Sequence, residues 1–595
     1  MRALPTLLAL FPLLAAAESA VRKDVAFSIT ADVGFGNEVC VLGDHPLLGG
    51  GDPLRAPKLA WTPGNVWRGA VALEAATSFT CRYISRSYAV GNWPSTSNQT
   101  PLGSPFTMTS PDHPPPPWTT KTVLYRTSWP EPRLLYRDLT HNGTWTDAAM
   151  TAVAPGRVPG EQTFGVTGLA PSGALLEFVF HNGGGIYDNA PAPPSGTAQG
   201  AAPAVPAPYQ GLGGPYNYRT PLDVLMVQDG QVFNYVPPAA ISAPRTEVRA
   251  IGSTAPGIPG RTVTLLLPRG YDQNTTKHYP VVLFHDGQNV FFPGGPFGTW
   301  DADRIAAYET AQGRMREAIL VAIPNGNDIG SNRLNEYLPD GDSIVYAGTT
   351  YTGRAAAYLQ FILDNLMPAL DIHYRTIGDA PNTVVAGSSM GGLVTDYLTH
   401  ESSDRFGAAG IFSPAYWAAP NWVAVRDAAA KQPLRRYLYM GTAESSTGES
   451  SSQIYWAGAL QACDTWIRSG HAINGDLVFE GGPGAAHTES AWSLRLPPFF
   501  QFALDPMREA NPLALALYPP SIRVTSVGGS PPVARVAYPA LMGVTQELET
   551  GGNLNTWDAA TLPSESELWA EREVEIPAEV PAGSTWYGRL KNTSW

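Results

Sequence analysis

The stretch Gly387-Ser388-Ser389-Met390-Gly391 constrains this chain more than any other. A serine with glycines two residues away on each side is how a nucleophile is held on a sharp turn from strand into helix. The preceding Thr383-Val384-Val385-Ala386 reads as a short buried strand, and the run from Gly391 to Leu398 reads as the start of a helix. With both flanks in place, Ser389 is the candidate nucleophile, the alternative being a glycine turn with no chemistry.

At 595 residues the chain is too long for a single core, and three or four domains are expected. Met1-Arg2 and the apolar Leu7 to Ala17, ending in small residues, predict a secretory signal peptide over 1–20, cut between Ala17 and Ala20. The expected location is therefore extracellular. No later run reaches the roughly 20 apolar residues of a membrane-spanning helix. A formal charge of −13 argues against nucleic acid or an anionic membrane as partner. Three cysteines cannot build a disulfide framework. Cys40 and Cys81 lie in strand-like runs of one N-terminal module and could pair, whereas Cys463 reads as a buried free thiol in a helix.

Pro114 to Pro117 reads as a stiff spacer, and Pro191 to Pro208 is an Ala/Pro/Gly stretch without periodicity. Segments 21–110 and 119–237 carry short alternating runs and turn residues, which predict two small β-sandwiches. Over 245–506 strands alternate with helices, implying a parallel sheet covered on both faces. The runs Ile522 to Val527 and Glu573 to Ile576 predict a further β module over 515–595, of unknown role. The expected fold class is thus multidomain: two N-terminal β-sandwich modules, a central α/β-hydrolase domain and a C-terminal β-rich module.

In that architecture the acid and the histidine follow the serine in the chain. Of the later histidines, His400 falls on the helix after the turn and His471 at a helix end, both read as surface positions. His487 lies in the glycine-rich Gly481 to Glu489, just after the strand-like Asp476 to Glu480, at the strand end where such sheets gather their chemistry. It is the candidate general base. Glu444, in the loop after Tyr437-Leu438-Tyr439-Met440, is the candidate acid that orients it, with Asp464 and Asp476 as competitors on a helix and at a strand start. Phe284-His285-Asp286-Gly287-Gln288-Asn289 follows an apolar strand, so the amides of Gln288 and Met390 are the expected oxyanion donors. For His285 and Asp286 the expectation is structural, the carboxylate tying down loop amides. The histidines show no paired metal-ligand spacing, and neither a metal nor another cofactor is expected.

Several separated blocks then fit one family in order: Arg261 to Tyr271, His285 to Asn289, Arg333-Leu334-Asn335-Glu336-Tyr337, Gly387 to Gly392, Phe412-Ser413-Pro414 and His487 to Trp492. Residues 245–506 resemble the esterase family that includes esterase D-like and feruloyl-esterase-like enzymes. The resemblance implies an α/β-hydrolase that cleaves or transfers acyl esters, with Ser389, Glu444 and His487 at the triad positions. Residues 25–109, with Val39 to Gly43, Leu48-Gly49, Trp67 and Phe79 to Tyr83, resemble the family-twenty starch-binding module. Gly51 stands where that family usually has a sugar-stacking Trp, whereas Trp93 matches the partner ring. Residues 121–236, with Trp145, Leu176 to Phe180, Tyr187-Asp188-Asn189 and Asn217-Tyr218, resemble the family-twenty-five and family-fifty-three starch-binding modules.

For Trp67 and Phe178 core packing is expected. Trp93, Trp145 and Tyr187, flanked by polar turn residues, are candidate carbohydrate-stacking rings, with core packing the alternative for each. The expected function is a secreted serine esterase acting on acylated carbohydrate, with starch or a related α-glucan and a small acyl ester as partners. The alternatives are a glucan-binding protein with a vestigial hydrolase domain, or an acyltransferase using the same acyl-enzyme.

Overall fold

The computed structural model describes residues 22–74, 77–87, 99–109, 120–141, 143–198, 216–444, 449–509, 511 and 513–514, and the backbone of six strands between 523 and 594. The expected signal peptide, the Pro114 to Pro117 spacer and Trp93 lie outside the described residues.

The central domain is built on eight strands: β1 (Arg245–Ile251), β2 (Arg261–Leu267), β3 (Val281–Phe284), β4 (Ile319–Ala322), β5 (Thr383–Ser388), β6 (Ala408–Phe412), β7 (Arg435–Ala443) and β8 (Leu477–Ala486). Their order across the sheet is β1-β2-β4-β3-β5-β6-β7-β8. The first two strands run antiparallel to their neighbours and the rest are parallel. Strands β3, β4, β5 and β6 are buried at every position, as a sheet covered on both faces requires. From β3 the chain passes to β4 on one side and later to β5 on the other. Strand order therefore reverses between β3 and β5, and the crevice at their carboxyl ends is where such a sheet holds its ligand. Covering helices are α1 (Ala302–Ala311), α2 (Met390–Glu401), α3 (Glu449–Ser469) and α4 (Leu496–Ala503).

Both N-terminal segments form paired sheets. In the first, strands Arg22–Thr30, Val66–Glu74 and Ala60–Thr62 face a sheet of Asn37–Gly43, Ser78–Ser87, Gln99–Pro101 and Phe106–Thr109 across a core that includes Phe27, Val41, Trp67 and Phe79. The second pairs two five-stranded sheets around Tyr125, Leu134, Phe178, Phe180 and Leu225. Trp67 and Phe178 are core residues, as expected. The six C-terminal strands make two three-stranded antiparallel sheets.

The cysteines correct the sequence reading: all three are free. In the strand register Cys40 lies opposite Ile84, three residues from Cys81. An odd offset turns the two side chains to opposite faces of the sheet, so they cannot meet. Cys463 is buried and unpaired, as the helix predicted.

Neither module hangs on a free tether. The first adds a backbone connection to the hydrolase domain, the Ile473 amide donating to Ala70 and the Ala72 amide to Ile473. Beneath it, Gly69 sits so close to Leu59 and Ile467 that a methyl group there would lie 3.1 and 3.3 Å from their side chains. Lys58 of the module, only 5% exposed, pairs with Asp464 of α3 at 3.0 Å. The second module is held by Thr220 donating to the Gly313 carbonyl at 2.8 Å, Arg269 donating to the Val232 carbonyl at 2.7 Å, and the Tyr235 hydroxyl donating to Glu317 at 2.9 Å. The Pro191 end of the Ala/Pro/Gly stretch is likewise packed, its carbonyl accepting from the Tyr308 hydroxyl at 3.3 Å.

Leaving a buried charge wholly unpaired costs up to about 3–5 kcal/mol; Lys58 keeps Glu38 at 3.6 Å and Asp464 is partly exposed, so losing Asp464 costs less than that. Asp464→Asn should therefore lower the melting temperature of the full chain and expose the junction near Lys58 to limited proteolysis. An unchanged melting curve and digestion pattern would show that the pair does not hold the module.

Candidate active site

Ser389 follows β5 and opens α2 with φ 60° and ψ −123°, a conformation an L-residue adopts only when its surroundings impose it. Three backbone hydrogen bonds do so: the Ser389 amide donates to Phe412 at 2.9 Å, while the amides of Leu393 and Ala415 donate to the Ser389 carbonyl. Two of the neighbouring glycines, Gly387 and Gly392, are steric necessities, whereas the closest atom to a Cβ on Gly391 would be an Asp286 carboxylate oxygen at 3.0 Å. A Cβ on Gly387 would lie 2.7 Å from the Gly391 carbonyl oxygen, and one on Gly392 would lie 2.8 Å from that of Phe412. Strand, turn and helix thus cross more closely than any side chain allows.

His487 lies just past β8. The Gly481 to Ala486 run, read as a loop, is instead the end of that strand, paired in part with β7. The His487 Nδ1 is 2.6 Å from the Glu444 Oε2. Glu444 is 4% exposed, and its other oxygen accepts from the Ser413 hydroxyl and the Gly441 amide, each at 2.6 Å. Ser413 in turn accepts from the Trp492 indole at 3.0 Å, and the Trp492 ring meets His487 edge-on at 4.9 Å. The carboxylate is thereby aimed at one nitrogen, which sets the imidazole tautomer and leaves the other nitrogen for a proton. Ser413 and Trp492 belong to the sequence blocks noted above, but their part in holding Glu444 was not foreseen.

Tyr455, on α3, was missed altogether. Burial raises its pKa. Its ring lies 5.2 Å from that of His487 and 6.2 Å from that of Trp417. Tyr455 therefore walls the imidazole on its α3 side. No spacing rule could have found it, because the contact joins separate segments of the chain.

The competing acids lie elsewhere. Asp464 is at the module junction, and Asp476 pairs with Lys431 and His471. His471 is 2% exposed, its Nε2 3.1 Å from the Arg436 guanidinium, and His400 packs edge-on against Trp422. The surface reading of His471 is corrected: the turn after α3 folds inward against the neighbouring strand β7.

The turn after β3 faces the same crevice. Gly287–Asn289 is a single tight turn in which the Asn289 amide is the first to find an acceptor within it, from Asp286. Gln288 and Met390 thus both carry first-turn amides, which have no acceptor inside their own helix. Gly287 is required, since a Cβ there would lie 2.5 Å from the backbone of Ala322 and Ile323. Asp286 does not tie down amides as expected. Its carboxylate takes the Arg333 guanidinium through two bonds of 2.7 and 2.8 Å and the Asn325 side chain at 2.7 Å. His285 bonds Tyr358 at 3.0 Å and is structural.

In the second module, Trp145, just before the strand Thr146–Ala149, and Tyr187 are 41% and 55% exposed, Trp145 beneath the Arg137 guanidinium at 4.8 Å. Among the described residues of the first module the exposed rings are Phe35, fully exposed, and Trp61, 42% exposed, neither of which the sequence reading singled out. Gly51, where the related modules carry a Trp, has open space around it.

Known proteins match two of these regions. Residues 259–500 match the family model described as "Putative esterase", and residues 22–104 the one described as "Starch binding domain". The chain carries an esterase-family domain and a starch-binding domain. The uncharacterized protein YbbA of Bacillus subtilis (strain 168) is 27% identical over 160 residues, which are 26% of this chain and 58% of that protein; the chain thus spans little more than half of this relative. Among solved structures, a ferulic acid esterase from Anaeromyces mucronatus matches with 21% identity and a TM-score of 0.33 over 45% of this chain and 92% of that one. An IroE-like serine hydrolase from Shewanella oneidensis matches with 20% identity and a TM-score of 0.35 over 44% and 79%.

Burial lowers the His285 pKa to about 3. Between there and the unfolded value of about 6.5 the unfolded chain binds a proton that the folded one does not, so stability rises with pH across that window. Below pH 6.5 the protein should lose stability progressively, and His285→Asn should flatten that dependence. Denaturant unfolding of both proteins at pH 5 and pH 7.5 checks it, and equal slopes would remove His285 as the source.

Proposed function

We propose that the protein is a serine carboxylic-ester hydrolase acting on acylated carbohydrate and held to α-glucan by its N-terminal modules. The observations that carry this reading are the 2.6 Å Glu444–His487 contact and a serine held in a strained strand-to-helix turn of the same sheet. His487, oriented by Glu444, takes the Ser389 proton as the hydroxyl oxygen attacks the ester carbonyl. The amides of Gln288 and Met390 receive the negative charge that develops on the carbonyl oxygen. Collapse of the tetrahedral intermediate breaks the carbon–oxygen bond to the alcohol, which departs with the proton from His487. Water, deprotonated by the same imidazole, then attacks the acyl-serine, releasing the acid and restoring the Ser389 hydroxyl. Arg333, clamped to Asp286, fixes the oxyanion turn, and Tyr455 packs against the imidazole.

Glucan attachment is supported by the starch-binding domain and by exposed rings on both modules, whose flat faces suit the apolar side of a glucose unit. Because the modules are packed against the hydrolase domain, they would present the polymer in a set orientation as well as concentrating it.

Turnover of acetyl, feruloyl and short aryl esters by the wild type, Ser389→Ala and Glu444→Gln is the direct test. The serine variant should lose on the order of 10⁶-fold in kcat and the glutamine variant about 10⁴-fold. Substantial hydrolysis by Ser389→Ala would remove that serine from the chemistry, and a wild type without turnover would favour a glucan-binding protein with a vestigial hydrolase fold.

Starch retention should respond to both modules. Trp61→Ala in the first, and Trp145→Ala or Tyr187→Ala in the second, should each weaken binding by about 1 kcal/mol as stacking area is lost. Pull-down of the full chain on insoluble starch would reject these rings if all three variants bound as the wild type does.

A further inference from the structure

A groove of about 490 Å³ runs between the second module and the hydrolase domain, next to the His487 loop. Its walls come from three places in the chain: Thr197 from the end of the Ala/Pro/Gly stretch, Phe297, Thr299 and Asp301 from the loop beyond the oxyanion turn, and Thr488 and Ser490 directly after His487. The module wall is pinned from the domain side, Arg304 of α1 donating to the Ser195 carbonyl and Tyr308 to that of Pro191. The loop wall is pinned to the active site. Asn289, at the oxyanion turn, donates to Glu489 at 3.0 Å, and Gly298 lies against the same glutamate, where a Cβ would be 3.5 Å from its side chain. The groove is therefore composite, and without the module it has only two of its walls.

Its chemistry is that of a site for a neutral polyol. Phe297 is 76% exposed and offers a ring face at one end. Three threonines and a serine line it, each hydroxyl already making a bond within the wall, Thr197 to the Pro194 carbonyl, Thr299 from the Asp301 amide and Thr488 with Ser490, and each keeping capacity for one more; the Asp301 carboxylate, 3.4 Å from Arg304, accepts only. A ring for the apolar face of a sugar and several hydroxyls for its edge is the usual grammar of carbohydrate recognition. Position adds direction. In acyl transfer the departing alcohol takes its proton from the imidazole, so it leaves on the histidine side, and Thr488 is the residue next to His487.

We infer that this groove is the leaving-group subsite, holding the sugar whose hydroxyl carries the acyl group. The inference rests on the ester-hydrolase reading above and deepens it. The second module, on this view, completes the substrate site in addition to anchoring the enzyme. Phe297 stacks on the sugar and sets the preference for a sugar ester over a simple aryl ester.

The test uses the full chain with two substrates, acetylated maltotriose and p-nitrophenyl acetate, whose leaving group is too small to span the groove. Phe297→Ala, at an exposed position that spares the fold, should reduce kcat/KM on the maltotriose ester about fivefold to tenfold more than on the aryl ester, as expected for one lost stacking ring. Thr197→Arg, which fills the groove from the module side, should raise KM for the maltotriose ester selectively. Free maltotriose should inhibit aryl-ester turnover by the wild type more strongly than by Phe297→Ala. If both variants affect the two esters by the same factor, or affect neither, the groove is not the leaving-group subsite although the hydrolase stands. A wild type that cleaves neither ester overturns the hydrolase reading and this one with it.

Discussion

The chemistry of this protein depends on one close crossing of backbone. Where β5 turns into α2, Ser389 is held at positive φ, and the strand, the helix and neighbouring β6 approach within distances that exclude a Cβ at Gly387 and Gly392. Holding a residue in such a conformation costs on the order of 1–3 kcal/mol, which the surrounding sheet must offset through burial and hydrogen bonds. The return is geometric: a hydroxyl that stands clear of the backbone, beside the first free amide of a helix. The bonds that impose the turn come from Phe412 and Ala415, either side of Ser413, the residue that bonds Glu444. One β6 loop thus positions both ends of the array.

The second constraint is how the modules sit. An ion pair, a short stretch of shared backbone pairing and a common apolar cluster join the first module to the hydrolase domain, and the second is joined through Thr220, Arg269 and Tyr235. A tether raises local concentration alone, whereas a docked module also fixes direction. The α3 helix illustrates the economy of the arrangement. Its Asp464 pairs with the first module while its Tyr455 packs against His487, so one element touches both the module junction and the candidate active site.

Most of the candidate array could be named from the chain because its signals are local. Ser389 is marked by glycines that sterics require, Glu444 and His487 by their places after apolar strands, and Gln288 by a glycine turn after β3. Alternation of strand and helix was enough to predict the covered parallel sheet, because a strand buried on both faces must be apolar throughout. What escaped was whatever depends on two distant segments meeting. Tyr455 and Trp417 carried no local signal and were not singled out. His471 read as surface because it follows a helix end, yet the turn folds inward. Cys40 and Cys81 looked pairable until the register turned them to opposite faces.

The sequence by itself therefore determined the fold class of the central domain, the order of the triad positions and the identity of the starch-binding module, since each rests on periodicity, steric necessity at glycine or a run of neighbouring residues. Only the tertiary structure decided the rest. That both modules dock, that Asp286 holds Arg333 and not the loop amides, that Ser413 and Trp492 support Glu444, and that Thr197 and Phe297 wall one groove all follow from contacts between segments tens to hundreds of residues apart. Such contacts depend on where the sheet's crossovers deliver each loop, and local pattern carries no record of that.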